Sequence, residues 1–140
     1  AESFLKEYGY LQHILPHTSN VVAEAVSQSA ADMADRLKAR AIVSLTETGF
    51  TSRMISKHRP ECAILAVVSS TKVARRLCMN WGVNPVLYEG SPSDEGKIAY
   101  AIAAARRRDM LAPGDIVVAT AGRHEEPGGT NVLRVLTVSD

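Results

Sequence analysis

Short apolar runs alternate with stretches of helical period, and this alternation limits the fold more than any other feature of the chain. Ala41–Leu45 (AIVSL) and Ala63–Val68 (AILAVV) read as buried strands, and residues 85–88, 116–120 and 132–138 read as three more. Between them, apolar residues recur at helical spacing. In 19–39 the expected inner face is Val22, Val26, Met33 and Leu37, with Ser19 or Asn20 as cap. In 51–58 it is Met54 and Ile55, with Pro60 as the stop. In 71–81 it is Val73, Ala74, Leu77 and Trp81, closed by Gly82. In 94–109 it is Ile98, Ala101, Ile102 and Ala105. Acidic Asp94 and Glu95 begin that last helix and Arg106, Arg107 and Arg108 end it, as the helix dipole favours.

Strand-helix alternation of this kind makes βαβ units and a mainly parallel sheet. The link between strands four and five has no helical pattern, so the fifth strand is expected to be antiparallel. With 140 residues the chain suffices for one domain with a real core. Residues 1–18 fall outside the alternation, and FLKEYGYLQHIL reads as a helical lead-in from a preceding domain.

Composition removes several functions. A net charge of +1 argues against a dedicated nucleic-acid binder. No apolar run reaches the roughly 20 residues of a membrane span, and no secretory leader is legible, so a cytoplasmic location is expected. Cys62 and Cys78 lack metal-ligand spacing and sit in apolar sequence, which predicts buried free thiols. His13, His17, His58 and His124 are scattered without partners at ligand spacing, so no metal site is expected. No Walker loop, dinucleotide fingerprint or nucleophile elbow occurs, and no catalytic set assembles from linear order.

Two glycine-containing loops follow strands, where open α/β sheets bind ligands. The first holds Thr46, Glu47, Thr48, Gly49, Phe50, Thr51 and Ser52 and opens a helix. N–H groups at Gly49, Phe50 and Thr51 would face an anion there, helped by the hydroxyls of Thr46, Thr48, Thr51 and Ser52. The same hydroxyls can serve simply as helix caps, so local pattern leaves both readings open. Glu47 repels a phosphate unless it turns away or pairs with Arg53. The second loop is TAGRHEEPGGTN, residues 120–131.

Taken together, AIVSLTETGFTSRMISKHRPECAILAVVSSTKVARRLCMNWGVNPVLY and GDIVVATAGRHEEPGGTNVLRVLTV resemble the C-terminal domain of pyruvate kinase. The likeness runs from about residue 20 to 138, and the start resembles the segment leaving that family's catalytic barrel. The resemblance implies a three-layer α/β/α unit with five strands, the last antiparallel. It implies a parent enzyme moving phosphate from phosphoenolpyruvate to ADP with Mg²⁺ and K⁺ in a barrel outside residues 19–140, so no catalytic residue carries over. It implies an allosteric role and a share in a homotetramer's interfaces. An effector phosphoryl group would sit on Thr46, Glu47, Thr48, Gly49, Phe50, Thr51 and Ser52. A closing loop would bring Arg123, His124, Gly128, Gly129 and Thr130, and Lys97 falls near a second-phosphate position. No tryptophan stands between Tyr88 and Lys97, as the fructose-bisphosphate-responsive pattern has, and Glu47, Glu125 and Glu126 suit a doubly anionic ligand poorly. The expected effector is a sugar phosphate or nucleoside monophosphate held by one phosphate, with Arg123, His124 or Lys97 as helpers. A stand-alone enzyme using Asp94, Glu95, Glu125 or His124 and a pure oligomerisation module are the competing readings.

Overall fold

The computed structural model of the chain describes residues 18–122 and 129–140. Helix α1 (Thr18–Leu37) leads into β1 (Ala41–Leu45), α2 (Phe50–Lys57), β2 (Ala63–Val68), α3 (Thr71–Leu77), β3 (Val83–Leu87), α4 (Asp94–Arg107), β4 (Ile116–Gly122) and β5 (Thr130–Thr137). The expected lead-in lies outside the described residues except for Thr18, which opens α1.

The strands form one sheet in the order β3-β2-β1-β4-β5. All neighbours are parallel except β4 and β5, which run antiparallel. The path from β1 to β3 moves in one direction across the sheet, and β4 then lies on the other side of β1. The strand order therefore reverses between β1 and β4. Helix α1 covers β4 and β5 and packs against α2 on the same face, and open sheets of this kind bind ligands beyond the carboxyl ends of strands where the order reverses.

The core has two halves because a strand buried on both sheet faces sends alternate side chains to each. All five β1 residues are buried. Val43 meets Leu65, Val117, Ile98 and Ala101 on the α4 side. Ile42 meets Ile64, Val118, Ile55, Val73 and Leu77 on the side of α1, α2 and α3. Each such side chain taken out of water contributes roughly 1.5–3 kcal/mol before entropy is counted. This is the expected three-layer architecture.

Two expected inner faces are corrected. In α1 the buried stripe is Ala23, Ser27, Ala30, Ala31 and Ala34, while Val22 is 44% exposed and Leu37 40%. Val26 and Met33 are only half-buried. Small side chains bring α1 close to β4 and β5, and the larger residues are pushed to its flank. Ser27 stays buried because its Oγ donates to the Ala23 carbonyl at 2.7 Å.

In α3 the helix ends at Leu77, so Trp81 is not on its inner face. Trp81 is 44% exposed and lies beneath the Arg59 guanidinium at 5.1 Å. Gly82, with φ 71°, closes the turn into β3 rather than capping the helix. The thiol expectation is corrected as well. Both cysteines are free, but Cys78 is exposed and Cys62 only partly buried.

Candidate functional site

Small hydroxyl side chains gather at the carboxyl ends of β1 and β4. Gly49 takes φ 87° and ψ 0°, a left-handed conformation that lets the chain turn from Thr46 straight into α2. A Cβ at that position would also stand 3.0 Å from Leu77 Cδ2 and 3.1 Å from Arg53 Nη1.

The hydroxyls divide the work. Thr46 Oγ1 accepts from the Gly49 N–H at 2.9 Å, and Thr48 Oγ1 accepts from the Phe50 N–H at 3.3 Å. Capping is therefore real at these two threonines. It also removes Gly49 and Phe50 from the expected set of free donors. Among the described residues, the first-turn N–H groups without a protein acceptor are those of Thr51 and Ser52. A hydroxyl that accepts a backbone N–H keeps its own proton to donate. Thr46 and Thr48 therefore still offer O–H groups beside the positive end of α2.

Behind this rim lies a second layer. Ser52 Oγ donates to Ser44 Oγ at 3.0 Å, and both residues are fully buried. Thr51 Oγ1 bonds Thr130 Oγ1, which ties α2 to the start of β5. Thr120 stands opposite Ser44 in the register, and its Oγ1 is buried without a partner among the described residues. A lone buried hydroxyl is costly, and it is an uncommon feature in a packed core.

The charged groups are arranged differently from the sequence expectation. Glu47 does not pair with Arg53. Its Oε2 accepts from Ser69 Oγ at 3.0 Å, and its Oε1 lies 3.7 Å from Lys97 Nζ. The Lys97 side chain is only 13% exposed and that of Glu47 35%, so the pair is partly shielded from water. Arg53 instead folds back along the loop, and its Nη1 donates to the Thr48 carbonyl at 3.3 Å. A guanidinium thus stands at the loop itself, one turn into α2. Sequence reasoning missed Arg53 as a site residue, although its place in the first turn of the helix after a glycine was a usable signal. It also missed Ser69 and Thr120, which depend on strand register.

Of the second loop, Gly129 and Thr130 are described, and Thr130 joins the site through Thr51. Gly122 forms the base of the hairpin with a register shift beside it, where a Cβ would collide with the Gly129 carbonyl. Arg123, His124, Glu125, Glu126 and Gly128 lie outside the described residues. Asp94 and Glu95 open α4, where Ser93 Oγ caps by accepting from the Gly96 N–H at 3.1 Å. Among the described residues no cluster of histidine, cysteine, aspartate and glutamate could hold a metal ion.

Comparison with known proteins bears on this arrangement. The family model for the pyruvate kinase alpha/beta domain matches residues 24–136. Pyruvate kinase of Lactococcus lactis subsp. lactis is 38% identical over 138 residues, covering 99% of this chain and 27% of that protein. Pyruvate kinase of Clostridium acetobutylicum is 38% identical over 123 residues, 87% of this chain and 25% of its own. Pyruvate kinase of Staphylococcus epidermidis is 39% identical over 120 residues, 85% of this chain and 20% of its own. The chain thus spans about a fifth to a quarter of the length of these relatives.

Proposed function

The chain belongs to the pyruvate kinase alpha/beta-domain family, and from that premise we propose that it senses a phosphorylated effector on the loop between β1 and α2 and takes part in subunit assembly. The observation that carries the effector reading is the donor set at Thr46, Thr48, Thr51 and Ser52. Two hydroxyls that keep a proton to donate and two backbone N–H groups without a protein acceptor among the described residues stand at one helix start, with the Arg53 guanidinium beside them. A phosphate is neutralised there by dipole and hydrogen bonds without a dedicated lysine.

The effector we assign carries one phosphate. Lys97, the cation placed for a second one, is already matched by Glu47. A second phosphate would have to displace that carboxylate or lie against it, and like charges at such range repel strongly. A sugar monophosphate or nucleoside monophosphate fits; a bisphosphate does not. Transfer of phosphate from phosphoenolpyruvate to ADP, with its Mg²⁺ and K⁺, we assign to the parts of the relatives that this chain does not span. The assembly reading is supported by β5, an edge strand with Val132 and Val135 exposed, and by the exposed flank of α1 at Val22 and Leu37.

Calorimetric titration with ribose 5-phosphate, glucose 6-phosphate, AMP and fructose 1,6-bisphosphate tests the effector reading. At least one monophosphate should bind, inorganic phosphate should compete with it, and the bisphosphate should bind no better. Silence from all four removes the sensing role. Tighter binding of the bisphosphate removes the one-phosphate assignment. Light scattering across a concentration range tests assembly, and association should be weakened by Val135→Lys.

A further inference from the structure

At the amino end of the sheet, the last turn of α1 and the starts of β1 and β2 border a pocket of about 640 Å³. That volume lies within the range of small-molecule sites, about 300–1,000 Å³. None of the residues of the β1–α2 loop lines it, so the pocket is separate from the proposed phosphate site.

The pocket has an apolar floor and charges of both signs. Buried Ala34 and Ala39 and half-buried Ala63 and Met110 supply the floor. Asp35 and Glu61 supply negative charge on the β2 side. Asp35 Oδ1 accepts from the Glu61 N–H at 3.2 Å, which holds its carboxylate at the start of β2. Both carboxylates stand close to Cys62, which also lines the pocket. Burial pushes that thiol up to about 11, and the two negative charges add to the rise.

Lys38 and Arg40 supply positive charge. Arg40 leans away from β2, because its Nε lies 3.9 Å from Asp115 Oδ2. Asp115 precedes β4, on the far side of β1 from β2. Asp115 Oδ2 also accepts from the Ala112 N–H at 2.8 Å, and its contact with Arg40 is long, so the guanidinium keeps donors for another acceptor. Among the described residues this is the one ion pair made by Asp35, Lys38, Arg40 or Glu61. The two signs therefore share one pocket without meeting.

Adjacent strands lie about 4.8 Å apart, so carboxylates at β2 and a guanidinium between β1 and β4 stand about 5–10 Å apart. A ligand with its own charges at that spacing would bridge them. In an extended dipeptide, residues spanning about 3.3–3.6 Å each place the terminal charges about 5–7 Å apart. In a single α-amino acid both charges hang from one carbon, which is too short a span. We propose that this pocket binds an apolar dipeptide as its zwitterion, with the ammonium group at Asp35 and Glu61, the carboxylate at Lys38 and Arg40, and the side chains over the alanine floor.

The probe is alanyl-leucine, titrated into the full chain and followed in ¹H–¹⁵N correlation spectra. Leucine, N-acetyl-alanyl-leucine and alanyl-leucinamide are the controls. Alanyl-leucine should move the Glu61 and Cys62 signals saturably. Each control should bind at least about tenfold more weakly, since each lacks one charge or the spacing between the two. Cys62 gives a second readout. At a dipeptide concentration about ten times Kd its alkylation should slow about tenfold, because only the empty pocket exposes the thiol. Cys78, which does not line the pocket, should react at its usual rate. Asp35→Asn keeps an acceptor for the Glu61 N–H, and it and Lys38→Met should each weaken dipeptide binding about tenfold. Both positions are exposed, and an unchanged thermal melt confirms that each variant is folded. Absence of saturable alanyl-leucine binding overturns the proposal. So does equal binding by leucine or by either blocked dipeptide, Cys62 alkylation that saturating dipeptide leaves unchanged, or binding that both variants leave unchanged.

Discussion

The two ends of the sheet handle polar groups in opposite ways. At the carboxyl end, Ser44, Thr46, Thr51, Ser52, Thr120 and Thr130 are all buried, and they bond mostly to one another or to backbone. At the amino end, charged groups stay near water, and the one buried hydroxyl named there, Ser56, donates to the Trp81 carbonyl at 2.6 Å. Arg40 and Asp115 meet at 3.9 Å with the arginine largely exposed, and Asp35 accepts from the Glu61 N–H at the surface. An amino end of this kind costs little, because water still solvates its charges. A carboxyl end packed with hydroxyls costs more than valines of the same shape would, since each hydroxyl must find a partner once buried. Thr120, without one, shows where that cost is not recovered within the described residues. Sites that bind ligands commonly carry such a burden; among the described residues elsewhere, buried Ser27 and Ser56 each donate to a backbone carbonyl.

The largest expected effect falls on the carboxyl end. Thr48→Glu puts a carboxylate where the phosphate is proposed to sit, and effector affinity should fall at least about 100-fold in a calorimetric titration. If affinity is unchanged, the loop is not the site. Gly49→Ala follows. The left-handed backbone and the short approach to Leu77 and Arg53 should cost about 1–3 kcal/mol in denaturant unfolding, with effector binding weakened as well.

Thr120→Val should run in the opposite direction. Removing a buried hydroxyl that has no partner among the described residues, while keeping the shape, should leave stability unchanged or raise it by up to about 1 kcal/mol. A clear loss would mean that Thr120 has a partner in solution. At the amino end, Arg40→Ala should change stability by less than about 1 kcal/mol, because the pair is long and its arginine exposed. A larger loss would erase the contrast between the two ends.

The smallest effect concerns Cys62, which also lies at the amino end. Burial pushes its thiol up from 9.0 to about 11. Its folded value lies above its unfolded one, so its contribution is complete below about pH 9 and is lost as pH rises toward 11. Cys62→Ser should flatten this alkaline part of the stability profile slightly. A thiol reagent at pH 8 should modify exposed Cys78 well before Cys62.

Most of the fold was legible because period and punctuation agreed. AIVSL and AILAVV are buried strands with the expected limits, and the helix-free link after β4 did mark an antiparallel partner. Where sequence reasoning failed, large side chains were favoured over small ones. In α1 the alanines won the inner face because close packing on the sheet outweighed the extra area of Val22 and Leu37. Trp81 was assigned inward on spacing alone, but α3 stopped one turn earlier. At the site, the loop itself was visible from its glycine and hydroxyls. The pairing of Glu47 with Lys97 was not, because those residues are fifty positions apart and meet only through the crossover of α4. Thr120, without a partner among the described residues, needed the strand register to be seen.

The most direct test of the effector loop reads the two donors themselves. In a ¹H–¹⁵N correlation spectrum, ribose 5-phosphate, glucose 6-phosphate and AMP should be titrated in turn. The backbone N–H signals of Thr51 and Ser52 should move saturably with at least one of them, ahead of signals at the amino end such as that of Glu61. If a monophosphate binds while Thr51 and Ser52 stay in place, or if none of the three moves them, the loop between β1 and α2 does not hold the phosphate.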